Sequence, residues 1–109
     1  MNYAAAVSVI RRYLDEKIPE PSIYWNKHEL KMRSYARWAA NELMSRIMEE
    51  ELRLPYHISG LEQKVPVEVA QEFVEEMRIR RTCASNREHR DLYFQAEYIG
   101  EEILGLLYF

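Results

Sequence analysis

Apolar residues recur at helical spacing through four stretches of the chain, and no stretch alternates convincingly with the period of two that a β-strand requires. In the first stretch, steps of four, three, four and four residues place the apolar side chains on one narrow stripe of a helix. These side chains are Tyr3, Val7, Ile10, Leu14 and Ile18. Pro19 and Pro21 follow and end the pattern, because proline lacks a backbone donor and disfavours helical geometry in the residue before it. The pattern predicts a first helix over about residues 2–17.

The second apolar pattern is the longest. Asn26 is a strong N-cap residue, and Glu29 stands three residues later, where a capping box requires it. Pro55 ends the pattern, so we predict a helix over about residues 27–53, roughly 40 Å long at about 1.5 Å per residue. Small side chains fill half of its predicted buried stripe and would let a neighbouring helix approach closely. That stripe consists of Met32, Ala36, Ala39, Ala40, Leu43 and Ile47.

Two further helices are predicted in the second half of the chain. Pro66 is a favoured first residue of a helix and opens a pattern that runs to about residue 81. Ser85 and Glu88 have the spacing of a capping box and open a helix over about residues 86–107. Only about three residues separate these two helices, so they should pair antiparallel.

The remaining segment, at about residues 54–65, is too apolar for a free linker, and we expect it to pack across one end of the helices. No internal repeat or domain boundary interrupts residues 1–109. The predicted fold is therefore all-α: a four-helix bundle-like single domain with a long second helix and a packed irregular connection.

Composition narrows the class of protein without identifying a function. The chain has 109 residues, of which 48% are hydrophobic and 30% charged, as is usual for one soluble globular domain. Cys83 is the single cysteine, which forbids an intrachain disulfide and fits a reducing compartment. The apolar run from Ala4 to Ile10 is too short to span a membrane and lacks the flanks of a secretion signal. We therefore expect a cytoplasmic protein without membrane attachment.

Known patterns of catalytic and metal-binding residues do not occur in the sequence. His28, His57 and His89 match neither the Glu-x-x-His pattern of di-iron bundles nor a zinc-protease motif. Cys83 stands six residues from His89, but no third group that could orient the pair can be named. The three glycines lack phosphate-binding spacing. We predict no catalytic residue, no metal and no cofactor, and treat an enzyme with an unrecognised site as the least favoured alternative.

Positive charge is concentrated in one segment. Residues 78–90 carry a local charge of +4, whereas the whole chain carries −3. The basic corner consists of Arg78, Arg80, Arg81, Arg87 and Arg90. Two interpretations are open: the arginines stabilise helix ends and pair with nearby carboxylates, or they face the phosphate backbone of a nucleic acid or an acidic partner.

The segment YWNKHELKMRSYARW, residues 24–38, raises the question of nucleic-acid binding directly, because it interleaves aromatic and basic side chains. On a helical wheel Tyr35 and Trp38 share one flank with Lys31, whereas Arg33 and Arg37 lie on the other. A single-strand binder needs cations and stacking platforms in one groove, which this arrangement does not favour.

Aromatic side chains exceed what one small bundle core should need, since the chain has eight Tyr, two Trp and three Phe. Such a surplus suggests a surface that a partner or a second copy covers. The candidate interaction surface consists of Tyr35, Trp38, Trp25, Tyr98, Leu107 and Phe109. We predict a small helical protein–protein interaction or regulatory module that self-associates as a homodimer. The alternative is a nucleic-acid-associated regulator that uses the basic corner.

Overall fold

The computed structural model describes residues 1–18, 22, 24–53 and 63–108 and contains four α-helices. These are α1 (Tyr3–Lys17), α2 (Lys27–Leu52), α3 (Pro66–Cys83) and α4 (Arg87–Leu107). No β-strand occurs among the described residues. The all-α four-helix fold is confirmed, and each helix begins and ends within two residues of its predicted bounds. The packing expected for the connection at about 54–65 falls mostly on residues 54–62, which lie outside the described residues.

Side-chain caps define where α2 and α4 begin. The Asn26 Oδ1 atom accepts a hydrogen bond from the Glu29 backbone N–H at 2.8 Å, and a Glu29 carboxylate oxygen accepts one from the Asn26 N–H at 3.3 Å. The predicted capping box of α2 is therefore confirmed. At α4 the prediction that Ser85 is the N-cap was wrong. Asn86 takes that position, and its Oδ1 atom accepts from the His89 N–H at 2.8 Å, because the helix begins one residue later.

Consecutive helices run antiparallel. The end of α1 lies beside the first half of α2, where Arg37 donates to the backbone carbonyl of Ile18 at 2.8 Å. The end of α2 lies beside the residues that precede α3, where Glu50 accepts from the backbone N–H of Lys64 at 3.1 Å. Three residues, 84–86, join α3 to α4, and the predicted antiparallel pairing of these two helices is confirmed by contacts along their length.

Helices α2 and α4 form the centre of the bundle. Each of them packs against all three other helices, whereas α1 and α3 barely touch one another. Helix α1 therefore lies in the groove on one side of the α2–α4 pair, and α3 lies in the groove on the other side. The outer faces of α2 and α4 consequently point away from each other, on opposite sides of the molecule.

Small residues allow this close central packing. Ala36, Ala39 and Ala40 of α2 are buried, as the predicted stripe requires, together with Leu43 and Ile47, while Met32 is only half-buried. Helix α4 contributes two further small buried positions: Ala96, and Gly100, which faces α3.

The last turn of α4 departs from the expected apolar stripe. Leu92, Ala96, Ile99 and Ile103 follow one another at steps of four, three and four residues, and the same alternation predicts Leu106 as the next buried position. Leu107 is buried instead, with 2% of its surface exposed, and Leu106 is 43% exposed. A straight helix has about 3.6 residues per turn, so a step of four from Ile103 returns closer to the buried side than a step of three.

Glu50 connects the start of α3 to the end of α2. Among the described residues, it is the one charged residue that is buried. One carboxylate oxygen accepts from the Lys64 N–H, and the Glu50 backbone carbonyl accepts from the Gln63 amide at 2.9 Å. Tyr3 of α1 joins the same corner, because its hydroxyl donates to the Lys64 carbonyl at 2.7 Å. Three helices are thereby tied together at residues 63–65.

Candidate interaction surfaces

The aromatic flank of α2 contacts the beginning of α4. The half-buried Tyr35 donates its hydroxyl to a Glu88 carboxylate oxygen at 3.3 Å, and the Lys31 ammonium lies 3.3 Å from the same oxygen. The hydrogen bond from Lys31 lowers the pKa of Glu88, and the same bond raises the pKa of Lys31. Because Lys31 and Glu88 are exposed, water screens their ion pair, and the pair adds little to the stability of the fold. Its main effect is to hold the Glu88 carboxylate where Tyr35 donates to it.

Two arginines on the basic flank of α2 donate hydrogen bonds to backbone carbonyls at the end of α1. Arg33 donates to the Lys17 carbonyl at 2.8 Å, next to the bond from Arg37 to the Ile18 carbonyl. These carbonyls belong to the last turn of α1, where helix geometry leaves them without an intrahelical donor. The Arg33 guanidinium also lies 5.2 Å from the centre of the Trp25 ring. The arginines and the half-buried Trp25 therefore belong to a structural contact between α1 and α2.

A row of uncharged residues follows the outer face of α2. On a wheel of about 100° per residue these positions lie within a sector of about 80°, whose one charged member is Lys27 at the first position of α2. This α2 row consists of Leu30, Ser34, Trp38, Asn41, Ser45, Met48 and Leu52, and all seven are exposed. Trp38 is 40% exposed and Leu52 71% exposed. Charged residues would normally occupy such solvent-facing positions in a chain with 30% charged residues, so the row favours contact with another protein surface.

A second row follows the outer face of α4 and has a different chemistry. Arginines stand near its beginning, two aromatic residues in the middle, and a carboxylate and a glycine near its end. This α4 row consists of Arg87, Arg90, Phe94, Tyr98, Glu101 and Gly105, and all six are exposed. Phe94 is 56% exposed and Tyr98 52% exposed. Because a solvated helix surface normally carries few large apolar side chains, the two aromatic residues mark this face as a second candidate interaction surface.

The six residues of the predicted interaction surface do not form one patch. Tyr35 and Trp38 lie on α2, Trp25 lies beside Arg33, and Tyr98 lies on the outer face of α4. Leu107 does not belong to a surface at all, because it is buried in the core, and Phe109 lies outside the described residues. Phe94 and Glu101, which lie in the α4 row with the predicted Arg87, Arg90 and Tyr98, were not among the predicted site residues. A helical wheel of α4 that followed its outer face as well as its apolar stripe would have aligned them.

Three arginines of the basic corner pair with carboxylates. Arg81 Nε lies 2.6 Å from one carboxylate oxygen of Glu97, and Arg78 Nε lies 3.2 Å from the other. Burial acts to raise the pKa of Glu97, but the hydrogen bonds from Arg81 and Arg78 outweigh it, so the pKa lies below its ordinary value. Arg80 stacks on the Tyr93 ring at 5.7 Å and lies 3.7 Å from Glu76. These contacts match the structural interpretation of the corner.

The other two arginines, Arg87 and Arg90, are exposed on α4. Within the part of the chain that the structure describes, neither has a carboxylate within ion-pair distance. The basic corner therefore divides into a paired group on α3 and two unpaired arginines in the α4 row.

A groove of about 340 Å³ lies where α1 meets the central pair, and it contains a hydrogen-bonded carboxylate that sequence analysis did not identify. The Tyr13 hydroxyl donates to Glu102 at 2.7 Å. Hydrogen bonds from Tyr98 and Tyr13 lower the pKa of Glu102, while burial and this bond raise the pKa of Tyr13. Tyr13 and Glu102 are 89 positions apart, so no local pattern indicates that they meet. The rim also carries Lys17 and Arg33, which leaves the groove with mixed charge.

Metal-binding and nucleophilic groups are not assembled among the described residues. No cluster of three or more His, Cys, Asp or Glu side chains with the geometry of a metal site occurs in residues 1–18, 22, 24–53 and 63–108. His28 and His89 are exposed, and His57 lies outside the described residues. Cys83 is exposed at the last position of α3.

Comparison with known proteins does not assign the chain to a family. No protein-family model, no curated protein and no solved structure matches it. None of the described helices combines the length and the apolar character that crossing a membrane would require.

Proposed function

We propose that this chain is a small helical protein–protein interaction module that self-associates as a homodimer in the cytoplasm, and that its activity is binding rather than catalysis. One observation supports the proposal above all: exposed large apolar side chains are aligned along the outer faces of α2 and α4. Scattered apolar residues are normal on a protein surface, whereas aligned ones indicate a surface that another protein covers.

The energy available from these rows suits association of moderate strength. Covering one large apolar side chain contributes at most about 1.5–3 kcal/mol, and less for residues such as Trp38 or Phe94 that are already partly covered. Association costs about 4–15 kcal/mol in lost translational and rotational freedom, so several such residues from both partners must be covered together. A pair of facing rows meets this condition, because every position of the row is covered in both copies and therefore contributes twice.

The alternative, a nucleic-acid-associated regulator, has less support. Carboxylates pair with Arg78, Arg80 and Arg81, which leaves Arg87 and Arg90 to contact a phosphate backbone. Two contacts predict weak binding that disappears as salt rises. Absence of any mobility shift of an oligonucleotide at ~50 mM salt, where phosphate contacts are strongest, would exclude this alternative.

Sedimentation equilibrium over a concentration series tests the proposed homodimer directly. We expect the average mass to rise from that of one 13.1 kDa chain toward twice that value as concentration increases into the high micromolar range. A mass that remains at one chain throughout this range contradicts self-association.

A further inference from the structure

The α4 row has a symmetric distribution of side chains about Ala96. Phe94 lies two residues before Ala96 and Tyr98 two residues after it. Arg90 lies six residues before it, and Glu101 lies five residues after it. A row with this arrangement matches its own reversed copy, because each aromatic residue then meets an aromatic residue and Arg90 meets Glu101 to within one position along the helix.

We propose that two copies of the chain pair through their α4 rows, antiparallel, around a two-fold axis that crosses the outer face of α4 midway between Phe94 and Tyr98, at the level of the buried Ala96. The inference rests on the proposed self-association and specifies the surface and the geometry that it uses. A two-fold axis makes the interface isologous, so each contact occurs twice. Phe94 of one copy packs against Tyr98 of the second copy, and the reverse contact follows by symmetry.

The charged residues support this register. At about 100° per residue, Arg90 and Glu101 lie only about 20° apart on the wheel and therefore on the same flank of α4. Antiparallel pairing about a two-fold axis brings the same flank of both helices together, so Arg90 of one copy faces Glu101 of the second copy. Arg90 has no carboxylate within ion-pair distance among the described residues, and Glu101 has only a 3.5 Å contact with Arg78. Arg78 itself bonds more closely to Glu75, at 2.8 Å.

Gly105 leaves space where the pairing needs it. It lies nine residues after Ala96, and Arg87 lies nine residues before it, so the two positions face each other in the pair. A Cβ atom on Gly105 would have no neighbouring atom within 4 Å in the single chain. The long Arg87 side chain of the second copy can therefore cross α4 at this glycine without a clash.

Acidic residues on the other flank of the α4 row limit the affinity of the two copies for each other. Asp91 and Glu102 lie on that flank, and the same symmetry brings these two acidic residues together. Glu102 is bound on its own chain by Tyr13, which draws its carboxylate toward α1 and away from the second copy. The expected dimer is therefore of moderate affinity, and its register follows from the flank that carries Arg90 and Glu101.

Other pairings of the two rows do not satisfy the charges. A parallel α4 pair would place Arg90 beside Arg90 of the second copy and Glu101 beside Glu101. The α2 row carries no charge, so it offers apolar area but nothing that distinguishes one register from another. The α4 row is the described surface on which self-association gains both apolar contact and charge complementarity.

Charge reversal provides the test. In sedimentation equilibrium at low salt, we expect R90E and E101R each to raise the dimer Kd by roughly 10- to 50-fold, because two exposed pairs change from attraction to repulsion. The double variant R90E/E101R restores opposite charges at the same positions, and its Kd should return to within about threefold of the wild-type value. The variants R12E and E16R are matched controls, since they make the same changes at exposed positions on α1.

The outcomes separate this inference from the proposed function. A wild-type dimer that R90E and E101R leave unchanged, or that the double variant fails to restore, overturns the α4 pairing while self-association stands. A wild-type chain that stays monomeric contradicts self-association itself. Circular dichroism and thermal unfolding of every variant show whether the fold is retained.

Discussion

At the scale of single residues, the two glycines of α4 are in opposite environments. Gly100 faces α3, and a Cβ atom there would lie 2.9 Å from Val74 Cγ2 and 3.0 Å from Phe73 Cδ1. Gly105 faces open space. The same glycine-to-alanine change therefore tests close helix packing at one position and backbone entropy alone at the other.

We expect Gly100→Ala to lower the free energy of unfolding by about 1–3 kcal/mol, because a stiff valine side chain must give way to the added methyl group. Gly105→Ala should raise it by up to about 1 kcal/mol, since alanine is the better helix former and meets no clash. Urea unfolding of both variants measures the two changes. A Gly100→Ala variant as stable as wild type or more stable would contradict a close approach of α4 to α3 at Gly100.

At the scale of helices, Glu50 determines how α3 begins. The residue is 8% exposed, and its carboxylate accepts a hydrogen bond from the backbone N–H of Lys64, whose carbonyl accepts one from Tyr3. Removing the carboxylate leaves that N–H without its partner in a partly buried position, which carries a penalty of desolvation.

Glu50→Ala should therefore destabilise the chain by about 1–3 kcal/mol. Glu50→Gln keeps an oxygen acceptor for the Lys64 N–H and should therefore lower the free energy of unfolding by less. Glu51→Ala, at the exposed neighbouring position, is the matched control and should change the free energy of unfolding by less than about 0.5 kcal/mol. Chemical denaturation gives all three values. A loss at Glu51 as large as that at Glu50 would contradict the anchoring role.

Helix bounds could be predicted from the sequence because their causes are local. The caps at Asn26 and the proline at position 66 act within one helical turn, and the apolar stripes repeat at a fixed spacing. The contacts that join helices are not local, and sequence reasoning missed them. The partner of Glu50 is 14 positions away and that of Tyr13 is 89 positions away.

The candidate interaction surface was harder to predict for the same reason. Composition indicates that some aromatic residues lie outside the core, but it does not say which ones. Tyr98 is exposed, whereas Leu107 is buried, and composition does not distinguish these two positions. Phe94 can be identified as an exposed aromatic residue only once it is known which face of α4 is buried.

At the scale of the whole molecule, ion pairs between helices make stability depend on pH. The pKa of Glu97 lies below its ordinary value of 4.5, because its hydrogen bonds to Arg81 and Arg78 outweigh the effect of burial. A carboxylate whose pKa is lower in the folded than in the unfolded state binds fewer protons when folded. Its contribution to stability is therefore fully present above the unfolded-state pKa and is lost as the pH falls through the folded-state value.

Glu97→Gln should accordingly lower the free energy of unfolding by about 1–3 kcal/mol at pH 7, and the difference from wild type should shrink below about pH 4.5. Urea unfolding at a series of pH values between 7 and 3 measures this convergence. Glu16→Gln, an exposed position on α1, serves as the control. A difference that stays constant down to pH 3 would contradict a role for the ionised carboxylate.

The central position of α2 and α4 has a consequence for valency. Because their outer faces point in opposite directions, a dimer joined through α4 would carry its two α2 rows on its two far sides. Such a particle is bivalent, and a target with two recognition segments would gain avidity without any new contact. R90E would then reduce the apparent affinity for a divalent target and leave the affinity for a single segment unchanged. In the proposed dimer, α4 would join the two copies and α2 would provide two binding faces remote from that joint.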